Sequence, residues 1–256
     1  MSVPKWQLQT PVSAFIFDCD GTLSTIEGID ILAQNRGISD KVSALTAEAM
    51  GKSGLNPEVY QKRLDLVFPQ QKEVLALGHQ YFKHQVPDVK NIIQLLTRLN
   101  KTIYLISAGL YPAIKIFGQL LEIPSENIFA VNIHFDAHGH FIDYERTSPL
   151  IHNDGKRQII TQLKKLHPHM IYVGDGLNDY AAHDLVTRFI GYGGVFYREN
   201  IAVRCEYYIN TASLTPLLPL SLTEQEYKKL TTDEKILYQE GLTAIVEKKG
   251  KYGILD

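Results

Sequence analysis

The chain has 256 residues, enough for one large domain or for a core carrying a smaller insert, and 45% of them are apolar, which argues against global disorder. Its 26 basic and 28 acidic residues nearly cancel, so charge gives no case for a nucleic-acid or membrane partner. Residues 1–11 are polar and proline-bearing, unlike a secretory leader; no apolar run nears the ~18 residues of a membrane span; Cys19 and Cys205 do not make a disulfide framework; a cytoplasmic protein is expected.

The apolar run Ala14 to Phe17 predicts a buried strand over 13–18 that ends in Asp18-Cys19-Asp20-Gly21. From Ile26 to about Gln85 the texture changes. Apolar positions recur at helical spacing between Gly37, Gly51, Gly54, Pro57 and Pro69, predicting three or four short helices in a compact insert. Ser39-Asp40 marks one helix start, and Pro69 precedes the helical run 71–84. Pro87 returns the chain to the core, with an amphipathic helix over 89–99 and a buried strand over 102–106 that ends in Ser107-Ala108-Gly109. A helix over 112–121 follows, then β-like runs over 128–135 and 140–144 around the turn Asp136-Ala137-His138-Gly139. Next come a helix over 156–166, a strand over 170–173, Gly174-Asp175-Gly176-Leu177-Asn178-Asp179, a short helix over 181–185, and strands over 189–192 and 207–209. This alternation predicts an α/β fold, a mainly parallel sheet with helices on both faces. Residues 211–219, with two prolines, read as a linker to helices over 224–230 and 233–248. Thr223 with Glu226 and Thr231 with Glu234 have capping-box spacing. The expected division is a core of 1–22 and 86–212, a helical insert of 23–85 and a helical extension of 213–256.

Asp18 with Asp20, Ser107, and Asp175 with Asp179 all follow predicted strands, and Lys156 opens a helix between them. In a doubly wound sheet such strand ends converge on one crevice. Carboxylates gathered there repel one another unless a cation joins them, and an all-oxygen donor set suits Mg²⁺. Ser107 and Lys156 add a hydroxyl donor and a positive charge, the equipment for gripping phosphate oxygens. Taken singly, each has a plainer reading: solvated loop carboxylates, a turn serine, a first-turn surface lysine beside Arg157. Cys19 reads as strand-end packing. His134, His138 and His140 have no cysteine partners and read as an exposed turn rather than a zinc site. Gly51-Lys52-Ser53 mimics the end of a phosphate loop, but Thr46 stands at the first glycine and no buried strand precedes it.

In this order, Asp18-Cys19-Asp20-Gly21-Thr22-Leu23, Ser107, Lys156 and Gly174-Asp175-Gly176-Leu177-Asn178-Asp179 resemble the four motifs of the haloacid dehalogenase superfamily, over residues 13–210. The resemblance implies a Rossmann-like core with Asp18 as nucleophile, forming an aspartyl-phosphate. It implies that Asp20 protonates the leaving alcohol and then activates water. Mg²⁺ would be held by the carboxylates of Asp18 and Asp175 and the backbone carbonyl of Asp20, with Asp179 supporting them. Ser107, Ala108 and Lys156 would hold the phosphoryl oxygens. Dehalogenases of the superfamily lack the second aspartate and need no Mg²⁺, so Asp20 points to phosphoryl chemistry.

Within the superfamily, Thr22 to Asp30, Met50-Gly51 and Arg63-Leu64 resemble phosphoserine phosphatases. That resemblance implies that the insert is a substrate-reading cap. Glu27 would meet the substrate ammonium, Arg63 its carboxylate, and Met50 would form an apolar wall; Gly109 would lend an N–H, and Asn178 would order the site. Two positions depart from the pattern: Ala108-Gly109 replaces a glycine pair, and Asn56 stands where a phenylalanine is usual. The expected activity is Mg²⁺-dependent hydrolysis of a small phosphorylated metabolite, O-phospho-L-serine first, by a monomer or homodimer. A phosphatase or phosphotransferase for another small amine phosphate is the near alternative, and a phospho-aspartate switch the distant one. Residues 22–25 and 85–88 are the expected hinges of the cap.

Overall fold

The structure, a computed structural model, describes residues 4, 6–51 and 55–247. In chain order, β1 (Ala14–Phe17) is followed by α1 (Gly28–Gln34), α2 (Ser39–Gly51), α3 (Pro57–Val67) and α4 (Gln71–Lys83). Then come α5 (Val89–Arg98), β2 (Thr102–Leu110), α6 (Tyr111–Leu120), β3 (Ile128–Val131), β4 (Ile133–Phe135) and β5 (Phe141–Tyr144). The chain continues through α7 (Gly155–Leu163), β6 (Met170–Gly174), α8 (Leu177–Tyr180), β7 (Arg188–Tyr192), α9 (Glu199–Ala202) and β8 (Tyr207–Ile209). It closes with α10 (Leu217–Ser221), α11 (Glu224–Lys228) and α12 (Thr232–Glu247).

Six strands form one parallel sheet in the order β3-β2-β1-β6-β7-β8, with helices on both faces. β1 is an unbroken apolar run buried along its length, as a strand covered on both faces must be. It pairs with β2 from Ala14↔Thr102 to Phe17↔Leu105 and with β6 from Ala14↔Met170 to Phe17↔Val173. Successive strands leave β1 in one direction and return through β6 in the other. The strand order therefore reverses between β1 and β6, where such sheets open a crevice at their C-terminal edge.

The insert α1–α4 lies between β1 and β2 in the chain. Its two connections run side by side: Ser24 bridges Gln85, Thr25 N donates to His84 O (2.8 Å), and Val86 N donates to Leu23 O (2.9 Å). α4 packs on α6, where Tyr81 stacks on Phe117 with ring centroids 5.6 Å apart. The β4–β5 hairpin reaches the same insert through a Gln70–His140 bridge and an edge contact of Phe68 with Phe141.

Several elements differ from the sequence reading. The run 128–135 breaks at Asn132, which exchanges hydrogen bonds with Glu145 (Asn132 Nδ2 to Oε2, 2.7 Å; Glu145 N to Asn132 O, 2.9 Å). That exchange turns the chain out of the large sheet into the hairpin. β2 runs on to Leu110, with a register shift against β3 between Ile106 and Leu110, so Ser107 lies within the strand. In place of the one helix expected over 181–185, the chain makes two pieces: α8, ending at Tyr180 and started early because the Asp179 side chain accepts from Gly176 N (2.9 Å), and a 3-10 turn at His183–Leu185. The supposed linker 211–219 is packed: Leu214, Leu217 and Leu218 are fully buried, and Ser213 Oγ donates to Asp88 Oδ2 (2.7 Å). Both capping boxes form, and buried Glu226 pairs with buried Lys101 of the core. Lys52, Ser53, Gly54, the Met50 side chain and the chain from Lys248 onward lie outside the described residues. Among the described residues no helix is long and apolar enough to cross a membrane.

Candidate active site

Asp18 and Asp20 leave the C-terminal end of β1 in a tight turn, in which the N–H groups of Thr22, Leu23 and Ser24 all converge on Cys19 O. Gly21 has φ 71° there, and a Cβ would fall 2.8 Å from Asp175 Oδ2, so the position admits only glycine without strain. Asp175 directly follows the adjacent β6, which sets the acids after the two strands across the reversal in strand order.

Lys156, 2% exposed in the first turn of α7, donates to Asp18 Oδ1 (2.5 Å) and to Asp179 Oδ1 (2.6 Å). Burial alone would lower its pKa; the charges of Asp179 and Asp18 outweigh that and hold it above the ordinary lysine value. Asp179 also accepts from the Tyr172 hydroxyl and from Gly176 N (2.9 Å), so both its oxygens are held by fixed donors. Burial, and then repulsion from Asp179, pushes Asp18 well above the carboxylate range. Burial likewise lifts Asp175 to about 6, although Arg198 opposes the rise.

The donor set can be tested for a cation. Oxygens of Asp18, Asp175 and Asp179 lie within 4.8 Å of one another, all three residues buried, and among the described residues this is the metal-capable cluster. Burial, with repulsion from neighbouring acids added to it, disfavours the charged forms of Asp18 and Asp175; a hard divalent ion relieves both, and the donors are all oxygen. The residues fit Mg²⁺.

Asp20 is held from both sides. Its Oδ1 accepts from Gly28 N (2.7 Å) and the Tyr81 hydroxyl (2.6 Å), and its Oδ2 from Ser107 Oγ (3.3 Å). A Cβ on Gly28 would lie 1.9 Å from that tyrosine oxygen, so the close approach requires glycine. Ser107 in turn accepts from Gly109 N (2.9 Å).

One pocket joins these groups to the insert. Asp18, Asp20, Lys156 and Asp175 line it with Glu27 and Arg63, and Ala108, Gly109 and Asn178 complete the same wall. Ser107 and Asp179 sit behind it, fully buried and bonded to lining residues. Asn178 Oδ1 accepts from Asp179 N (3.1 Å). Met50 falls on α2. Asn56 caps α3, accepting from Val59 N (2.9 Å), which gives this departure from the family pattern a structural use. Cys19 is buried, and burial pushes its thiol up, so it is no nucleophile. His138 and His140 lie on the exposed hairpin, their rings 6.1 Å apart.

Two residues escaped the sequence reading, and a third, Tyr60, stood in it only as a neighbour of Asn56. Arg198, in the loop after β7, contacts Asp175 Oδ2 (3.0 Å) and lies 3.8 Å from Glu27 Oε1. Its signal was positional: β7 ends at the same sheet edge as β1 and β6. Tyr81 and Tyr60 line the pocket from α4 and α3. Tyr60 had a weak signal, lying three residues before Arg63 and so on the same helix face; Tyr81 had none.

A model of the haloacid dehalogenase-like hydrolases matches residues 12–183. Phosphoserine phosphatase of Bos taurus is 33% identical over 198 residues, spanning 77% of this chain and 88% of the relative. The chloroplastic phosphoserine phosphatase of Arabidopsis thaliana is 34% identical over 202 residues, spanning 77% of this chain and 68% of its own. Among solved structures, a phosphoserine phosphohydrolase-like protein from Francisella tularensis aligns with a TM-score of 0.71 at 25% identity, over 78% of this chain and 95% of that one. With acids and a buried lysine at the strand ends where such chemistry is done, the chain belongs to the haloacid dehalogenase-like hydrolases and is a phosphatase.

Proposed function

We propose that this phosphatase hydrolyses O-phospho-L-serine through an aspartyl-phosphate on Asp18. The observation that carries the reading is the single pocket in which Asp18, Asp20 and Lys156 face Glu27 and Arg63. A phosphoserine zwitterion needs an anion for its ammonium and a cation for its carboxylate, beside a site for its phosphate. Glu27 and Arg63 are those two charges, and the acid cluster with Lys156 is that site.

In the first step a carboxylate oxygen of Asp18 attacks phosphorus and the ester P–O bond breaks. Asp20 gives its proton to the departing serine oxygen. In the second step water attacks the phosphorus of the aspartyl-phosphate, Asp20 takes the proton, and the P–O bond to Asp18 breaks to release inorganic phosphate. Lys156 orients Asp18 and, with Ser107 and the N–H of Ala108, holds the phosphoryl oxygens. The carboxylates of Asp18 and Asp175 and the backbone carbonyl of Asp20 would hold Mg²⁺, with Asp179 steadying them. When bound, the ion supplies charge neutralisation at the phosphoryl oxygens.

Residues 23–85 act as a specificity cap over the core of 1–22 and 86–212. The paired connectors at 22–25 and 85–88 are its hinges, and closure excludes bulk water. The extension 213–256 docks on that core. The test is a panel of phosphomonoesters assayed with Mg²⁺. Phosphoserine should turn over fastest, with serine and inorganic phosphate as products. Turnover no faster than that of phosphoethanolamine or a sugar phosphate would sink the assignment. A new phosphate ester formed in the presence of homoserine would make the chain a phosphotransferase.

A further inference from the structure

We propose that the Tyr60 hydroxyl is a specificity-determining donor which, together with the Nε–H of Arg63, binds the substrate carboxylate. The proposal rests on the phosphoserine reading of the pocket and adds to it a residue that no motif marks.

Tyr60 and Arg63 both line the pocket, and they are 3% and 5% exposed. The Tyr60 hydroxyl and the Arg63 Nε nonetheless have no hydrogen-bond partner among the described residues. Buried polar groups are nearly always paired, and leaving one unpaired is costly. The two residues lie three apart on one face of α3 and line the same pocket, so one acceptor there could serve both donors. The neighbouring Tyr81 shows the contrast, since its hydroxyl is committed to Asp20.

The geometry keeps the Tyr60 ring where it is. It packs at a tilt on Tyr144 of the β4–β5 hairpin, centroids 5.1 Å apart, and the Arg63 guanidinium carbon lies 5.6 Å from its centroid. Burial drives the phenol pKa up, so the group stays a neutral O–H at any working pH. What fills a pair of N–H and O–H donors beside a fixed positive charge is an anion with more than one lone pair. An ammonium is repelled by the guanidinium, and the phosphate is already taken up at Asp18 and Lys156. A carboxylate accepts from both donors at once. The substrate class is therefore a phosphomonoester bearing a carboxylate.

Tyr60→Phe removes one oxygen and leaves the ring packing. The KM for phosphoserine should rise at least about tenfold, the loss expected for a hydrogen bond to a charged group, with kcat within about twofold. The KM for phosphoethanolamine, the same ester without the carboxylate, should not move. Because the hydroxyl has no partner among the described residues, the variant's Tm should be equal or higher; a fall in Tm would give Tyr60 a structural role and overturn the proposal. A wild-type enzyme that prefers phosphoserine, with a Tyr60→Phe variant that keeps the full preference, would overturn the Tyr60 assignment alone. A wild-type enzyme without that preference would overturn the underlying substrate reading.

Discussion

Tyr81→Phe isolates one contact to the proposed acid/base. The substitution removes a hydroxyl that donates to Asp20 Oδ1 at 2.6 Å, and the ring stays stacked on Phe117. Asp20 keeps Gly28 N at 2.7 Å on the same oxygen and Ser107 Oγ at 3.3 Å on the other. A hydrogen bond to a charged group contributes about 1.5–3 kcal/mol. Lost entirely from the transition state, that is roughly a tenfold to 150-fold fall in rate. Because Gly28 N still holds Oδ1, the lower end applies: kcat for phosphoserine should fall about tenfold. The groups that grip the substrate are untouched, so KM should stay within about twofold. Steady-state phosphate release with saturating Mg²⁺ reads both parameters, and thermal unfolding checks the fold. Asp20→Asn should cost about 10²–10⁴-fold. Since Tyr81 acts through Asp20, adding Tyr81→Phe to Asp20→Asn should cost nothing more. A single variant with kcat within twofold of wild type, or a double variant whose losses add, refutes the reasoning.

Glu226→Ala should destabilise the protein by about 3–5 kcal/mol in urea unfolding, because it strands Lys101, 8% exposed, whose Nζ otherwise pairs with Glu226 and donates to Val12 O (2.7 Å). Lys101→Met with Glu226→Leu should recover most of that loss, and a single-variant loss below about 1 kcal/mol would mean the extension is not anchored there. Mg²⁺ should raise Tm as well as activity, since ligand at a hundredfold excess over Kd adds about 2.7 kcal/mol; turnover and Tm that both ignore EDTA would remove the metal from the scheme. The Arg157 hydrogen bond holds Asp184 down at about 2, below its unfolded value, so the pair's stability is present above the unfolded pKa of about 3.9 and is lost as pH falls through about 2. Asp184 is half-exposed, so Asp184→Asn should cost at most about 1 kcal/mol at pH 7 and nothing near pH 1.5; a gap that persists in acid would refute the assignment.

The acids of the core were legible because the chemistry ties them to strand ends, and strand ends are a local property of sequence. Asp18 after β1 and Asp175 after β6 need only two short apolar runs to be placed, and the parallel register does the rest. The extension was half legible. Its capping boxes are short-range patterns, and both form. Residues 211–219 misled because prolines advertise a linker locally, whereas Leu214, Leu217 and Leu218 pack through contacts that no local pattern records. Asn132 breaks a β-like run only because Glu145, thirteen residues on, is there to receive it.

Tyr81 was illegible for the same reason and in a more consequential place. Its partner Asp20 is sixty-one residues away, and nothing in α4 announces the contact. Of the three donors on Asp20, Gly28 N and the Tyr81 hydroxyl come from the insert; only Ser107 belongs to the core sheet. An opening that carried α1 and α4 off the core would strip Asp20 of two donors and leave it the weakest, at 3.3 Å. In the proposed scheme, closing the insert would therefore do more than shut out water. It would set the carboxylate that the proposed scheme asks to deliver a proton, coupling the chemistry to the position of the insert at one side chain. The pair of aspartates after β1 divides the work along that line, Asp18 being held by Lys156 of the core and Asp20 mainly by the insert.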